Sequence, residues 1–132
     1  MTDLNDMVSV RYMVDDVERA VAFYTAHLGF RVLTNFPPAF ADVARGKLRL
    51  LLSGPTSSAG RPMPDGAKPG PGGWNRIHLI VDDIAAEVAR LRTAGVRLRN
   101  DIVTGPGGSQ VLLIDPSGNL VELFQPAAPK DR

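Results

Sequence analysis

Arg76 and His78 stand two residues apart in the run Trp74-Asn75-Arg76-Ile77-His78-Leu79-Ile80-Val81, and Glu122 stands between Leu120 and Phe124 towards the other end of the chain. Period-two alternation puts Arg76 and His78 on one face of a strand, and gives Glu122 two apolar neighbours on its own face. A carboxylate among apolar groups is costly unless it has a partner. Two readings follow: a structural ion pair of Glu122 with Arg76, or a carboxylate that receives a hydrogen bond or a basic nitrogen from a ligand. His78 adds an imidazole that can bond a ligand, coordinate a metal or take a proton, against the plainer role of a satisfied wall residue. Arg11 is its counterpart in an earlier run, where a surface-seeking arginine is the plainer outcome. The remaining histidine, His27, falls late in a helical pattern, and a favourable interaction with the helix C-terminus accounts for it. Trp74, with Phe36 and Phe40 around Pro37-Pro38, offers flat walls to an aromatic ligand or simply closes the core. Gly105, Gly107 and Gly108 form a turn rather than a phosphate cradle, since no helix follows them.

The strand that carries Arg76 and His78 ends at Val81-Asp82-Asp83-Ile84, which repeats Val14-Asp15-Asp16-Val17 near the N-terminus. One unit is therefore used twice. In the first, residues 7–14 read as a strand. Asp15 and Glu18 have the spacing of a capping box, and Val17, Val21, Tyr24 and Leu28 form the stripe of a helix that stops at Gly29. A strand over 30–36 follows, then a hairpin of 39–44 with 47–52 around Arg45-Gly46. In the second, Ile84, Val88 and Leu91 form the stripe and Gly95 the stop. Strands follow over 96–104, 109–114 and 120–125, separated by a turn over 105–108 and another at Asp115-Pro116-Ser117-Gly118-Asn119. Residues 54–73 are crowded with Gly, Pro and Ser and read as a linker or a functional flap. Residues 126–132 read as a frayed tail.

With 44% hydrophobic and 22% charged residues, the 132-residue chain has the composition of a globular domain large enough to dispense with disulfides or structural metal. A net charge of +1, with scattered basic residues, gives no reason to expect nucleic acid. No apolar run is long enough to span a bilayer, so no membrane partner is expected. Residues 1–7 contain Asp3 and Asp6 and no apolar stretch, so no signal peptide is expected and the expected location is the cytoplasm. The absence of cysteine suits a reducing compartment but also a cysteine-free exported protein.

Two β-α-β-β-β units, with Asp15-Asp16-Val17-Glu18-Arg19-Ala20-Val21-Ala22-Phe23-Tyr24 in one and Asp115-Pro116-Ser117-Gly118-Asn119-Leu120-Val121-Glu122-Leu123 in the other, resemble the vicinal oxygen chelate superfamily. That group contains glyoxalase I, extradiol dioxygenases, and the fosfomycin and bleomycin resistance proteins. The resemblance implies an α+β, glyoxalase-like fold: two modules, 7–53 and 74–125, joined by 54–73, whose curved mixed sheets surround a cavity, usually within a homodimer. It implies for the enzymes a divalent metal held from the first and last strands of each unit. Carried over residue by residue, those positions are Ser9 and Arg76, counted back from Val14 and Val81, and Glu122 and Leu50, by aligning Gly118 with Gly46. Only Glu122 is a ligand type, and a guanidinium beside it competes with a metal. The expectation is therefore metal-independent binding, without cofactor, of a small apolar or aromatic organic molecule such as an antibiotic or toxic metabolite. Arg11, Phe40, Trp74, Arg76, His78 and Glu122 are the expected ligand contacts. The alternative is an enzyme: a metal-dependent lyase, isomerase or oxidoreductase with a divalent ion on His78 and Glu122, or a metal-free acid-base catalyst using the same two residues.

Overall fold

A computed structural model describes residues 4–128. The chain divides into two compact units. One runs to Gly72 and takes in Pro116–Asn119; the other comprises Gly73–Asp115 and the segment from Leu120 onward.

In the first unit β1 (Val8–Met13) leads to α1 (Val17–His27), followed by β2 (Arg31–Phe36), β3 (Phe40–Arg45) and β4 (Leu48–Ser53). The strands form one sheet in the order β1-β4-β3-β2, with β1 and β4 parallel and the other pairs antiparallel. The helix begins one residue later than the sequence suggests. Asp16, in extended conformation, is the cap and its carboxylate accepts from Arg19 N at 3.1 Å, so Asp15 and Glu18 do not form the expected box. Asp15 instead donates its backbone N–H to Ser117 Oγ at 2.8 Å. Gly29, with φ +73°, ends the helix as expected. Val17, Ala20 and Tyr24 are buried with Tyr12, Val43, Leu50 and Leu52, and Tyr24 meets Tyr12, Phe23 and Phe30 edge-on. This core is partly aromatic.

The second unit repeats the plan with β5 (Arg76–Ile80), α2 (Ile84–Thr93), β6 (Arg97–Leu98), β7 (Val103–Gly105), β8 (Gly108–Ile114) and β9 (Leu120–Pro126). The sheet order is β5-β9-β8-β6, with β7 also on β8, and β5 and β9 are parallel. Asp83 caps α2 by accepting from Ala86 N, and Ile84 N donates to Gln125 Oε1 at 2.9 Å, which fixes the helix start to the last strand. The core here is aliphatic: Ile77, Leu79, Ile84, Val88, Leu91, Val111, Leu113, Val121 and Leu123. The strand expected over 96–104 is broken into β6 and β7. Between them Asn100 turns its side chain to accept from Leu112 N, a side-chain bond where a continuous strand would have used backbone.

Residues 54–73 are tied to the first unit rather than hanging free. Buried Ser57 donates to Gly54 O at 2.7 Å and accepts from Gly60 N. At the far end Asn119 Oδ1 accepts from Gly72 N while its Nδ2 donates to Met13 O, each at 2.8 Å. Of the expected tail, Pro126 ends β9, Ala127 N bonds Gly107 O, and 129–132 lie outside the described residues, as do residues 1–3 of the N-terminal stretch.

Candidate functional site

Each sheet has a helix-covered face and an open one. Paired positions share a face, so the ladder of the second sheet puts Arg76, Leu120 and Ile114 in one row of its open face, His78, Glu122 and Leu112 in the next, and Ile80, Phe124 and Gln110 in a third. Glu122 is 6% exposed and holds the centre. Its Oε1 accepts from Arg76 Nε at 3.0 Å and lies 2.9 Å from Nη2; its Oε2 lies 3.4 Å from His78 Nε2. Arg76 Nη1 donates to Trp74 O at 3.2 Å, so the guanidinium is held on two sides. His78 is half exposed and lies against Phe124, ring centroids 4.9 Å apart and planes tilted by 37°. Trp74 is exposed and carries the Arg99 guanidinium 4.6 Å from its ring centroid, a cation-π contact that covers one face.

Arg76, His78 and Glu122 are therefore brought together, with Trp74 linked through Arg76. Arg11 and Phe40 belong to the first sheet. Arg11 Nη1 donates to Ser53 Oγ at 2.8 Å, and half-buried Phe40 lies opposite Ser53 and Phe36. Phe124, which alternation already places on the face of Glu122, shapes the site from β9 through its contact with His78. Not anticipated is a second ion pair, buried Asp42 with Arg49, Oδ2 to Nε 2.7 Å, on the open face of the first sheet. A cleft of about 250 Å³ opens elsewhere in the first unit, between Met13, Val14, Pro55, Pro62, Lys68 and Pro71. It contains none of the six expected contacts.

One carried-over position needs correction. Ser9 pairs with Arg49 and Arg76 with Leu120, so the residue of the first unit that matches Glu122 is Leu51, not Leu50. Leu50 is fully buried on the helix side. The alignment of Gly46 with Gly118 slipped because the first hairpin turns in two residues and the β8–β9 connection takes five, and a one-residue slip exchanges the faces of a strand. The four positions are thus Ser9, Leu51, Arg76 and Glu122. Both oxygens of the single carboxylate face basic groups, and among the described residues no three His, Cys, Asp or Glu side chains gather in reach of one ion. This donor set does not fit a divalent metal.

The family model described as Glyoxalase/Bleomycin resistance protein/Dioxygenase superfamily matches residues 6–123. The chain belongs to this superfamily. Among solved structures of its fold, TnmS3, an antibiotic binding protein from Streptomyces sp. CB03234, is 29% identical, with a TM-score of 0.71 over 92% of this chain and 95% of its own. A glyoxalase/bleomycin resistance protein from the same organism is also 29% identical, with a TM-score of 0.67 over 90% and 99%. Lactoylglutathione lyase from Agrobacterium tumefaciens, at 22% identity and a TM-score of 0.73 over 90% and 92%, shares the fold. No curated protein matches the chain significantly. The glyoxalase-like α+β class implied by the resemblance is the one observed, with two helices and two mixed sheets.

Proposed function

We propose that this superfamily member is a metal-independent binding protein for a small, apolar or aromatic organic molecule, of the kind sequestered as an antibiotic or toxic metabolite. The observation that carries the reading is the occupation of Glu122 by Arg76 and His78. A carboxylate whose two oxygens face a guanidinium and an imidazole is a poor place for a cation. The same arrangement leaves a rigid polar centre flanked by Trp74, Ile80 and Phe124, which is how small-molecule sites are built: apolar walls with a few fixed polar anchors. The similarity to TnmS3 supports the ligand class. Homodimer formation and a cytoplasmic location complete the proposal. Edge strands β1 and β5 and the open faces leave apolar side chains such as Val8 and Ile80 for a second copy to cover.

Elemental analysis after dialysis, combined with fluorescence titration of an apolar dye, tests the reading. Saturable dye binding by metal-free protein is expected. One equivalent of zinc, iron, manganese or nickel, retained and needed for stability, would remove it. Light scattering tests the dimer.

A second reading rests on the contact of His78 Nε2 with Glu122 Oε2. With Nε2 turned to Glu122, Nδ1 is the ring nitrogen left to act as a base on a bound substrate. It requires that His78→Gln abolish turnover of a bound substrate while preserving its binding.

A further inference from the structure

The cleft of about 250 Å³ in the first unit is built where β1 gives way to α1. One wall is Met13, Val14 and Asp15; the other comes from the Gly/Pro-rich segment 54–73 and includes Lys68. The walls are tied together. Asn119 holds both, donating to Met13 O and accepting from Gly72 N beside Pro71, and Ser117 Oγ accepts from Asp15 N. Ser57 closes the turn that carries Gly60. Pro55, Pro62, Pro69 and Pro71 fix backbone φ along the second wall, so it has little freedom to lose when a ligand enters. Val14 is buried and Met13, Pro69 and Pro71 are half-buried, which makes the interior apolar, while Asp15 and Lys68 are exposed at its rim. These two opposite charges stand on different walls of one cleft, yet no ion pair joins them. Among the described residues neither the Asp15 carboxylate nor the Lys68 ammonium has a partner.

We propose that this cleft binds a small zwitterion with an apolar body, of the size of an amino acid: its ammonium meets Asp15, its carboxylate meets Lys68, and its apolar part lies against Met13 and the prolines. The volume falls just below the roughly 300–1,000 Å³ of drug-sized sites, which suits so small a molecule. An anion and a cation held on two walls favour a ligand that carries both charges, whereas a singly charged molecule is attracted by one wall and repelled by the other. The assignment is independent of the Arg76–Glu122 site, since neither that pair nor any of the four inherited metal positions lines the cleft.

Three molecules of one skeleton test it: L-phenylalanine, phenethylamine, which lacks the carboxylate, and 3-phenylpropionate, which lacks the ammonium. Each is titrated into the full chain at neutral pH and low salt, and backbone amide NMR shifts are read. L-Phenylalanine should shift the amides of Val14, Asp15, Gly60 and Gly70 saturably. It should bind about two- to fivefold tighter than either relative, the gain expected from one exposed charge contact. Lys68→Ala should erase its advantage over phenethylamine and keep that over 3-phenylpropionate; Asp15→Asn should do the reverse. Lys47→Ala, at the turn between β3 and β4, should change neither. Absence of saturable shifts at these amides, equal binding of the three molecules, shifts confined to residues around Glu122, or preferences insensitive to Lys68 and Asp15 would each overturn the proposal. Should Asp15→Asn fail to fold, Lys68→Ala decides alone.

Discussion

Each unit pairs one carboxylate with one arginine on the open face of its sheet, yet the two pairs are built differently. In the second unit the pair joins parallel strands β5 and β9, and Glu122 has a basic group on each oxygen. In the first the pair joins antiparallel strands β3 and β4, and Asp42 has one partner and one orphaned oxygen. A longer side chain makes the difference: glutamate reaches across to two neighbouring side chains, whereas aspartate, held close to its backbone, reaches one. The result is a neutralised, rigid centre in one unit and spare guanidinium donors in the other. A repeated architecture has diverged through the position of one acid in the ladder.

The sharpest way to break this contrast is Glu122→Gln, which leaves Arg76 and His78 facing an uncharged amide. Because Arg76 is about a third exposed, the cost should sit at the lower end for a broken buried pair, about 3 kcal/mol by urea denaturation. Adding Arg76→Met should recover part of it, with a coupling of at least about 1 kcal/mol in a double-mutant cycle; simple addition of the two losses would mean that the pair carries no energy of its own. Asp42→Asn should cost less, about 1.5 kcal/mol, since one charged bond is weakened and Oδ1 has no bond to lose. An equal or larger loss there would end the contrast. The smallest effect should come from Trp74→Ala: below about 1 kcal/mol of stability, because its contact with Arg99 is exposed, while aromatic dye affinity in the second unit falls.

Much of this was legible in the chain. The paired aspartates marked both helix starts, and Gly29 and Gly95 both stops, because caps and positive-φ positions are local demands that few residues meet. The inward face of β9 and the meeting of Glu122 with Arg76 followed from alternation and apolar neighbours. What failed was counting across turns of unequal length, which moved the match of Glu122 from Leu51 to Leu50. The Asp42–Arg49 pair was overlooked although a hairpin turning near Gly46 already put the two residues close across β3 and β4. Whether Asp42 would satisfy both oxygens was not legible, since that depends on side-chain reach. The break between β6 and β7 was hidden too, because Asn100 substitutes for the backbone only once β8 lies beside it.

Asn119 and Ser117 come late in the chain but serve the first unit, where they satisfy Gly72 N, Met13 O and Asp15 N. A gene divided at residue 73 would therefore not yield two self-sufficient halves. The leading fragment would leave three main-chain groups without their partners, and the trailing fragment would carry four residues that belong to its sister. The five-residue connection between β8 and β9 thus lends four of its residues to the first unit, so a cut at residue 73 separates that unit from part of itself.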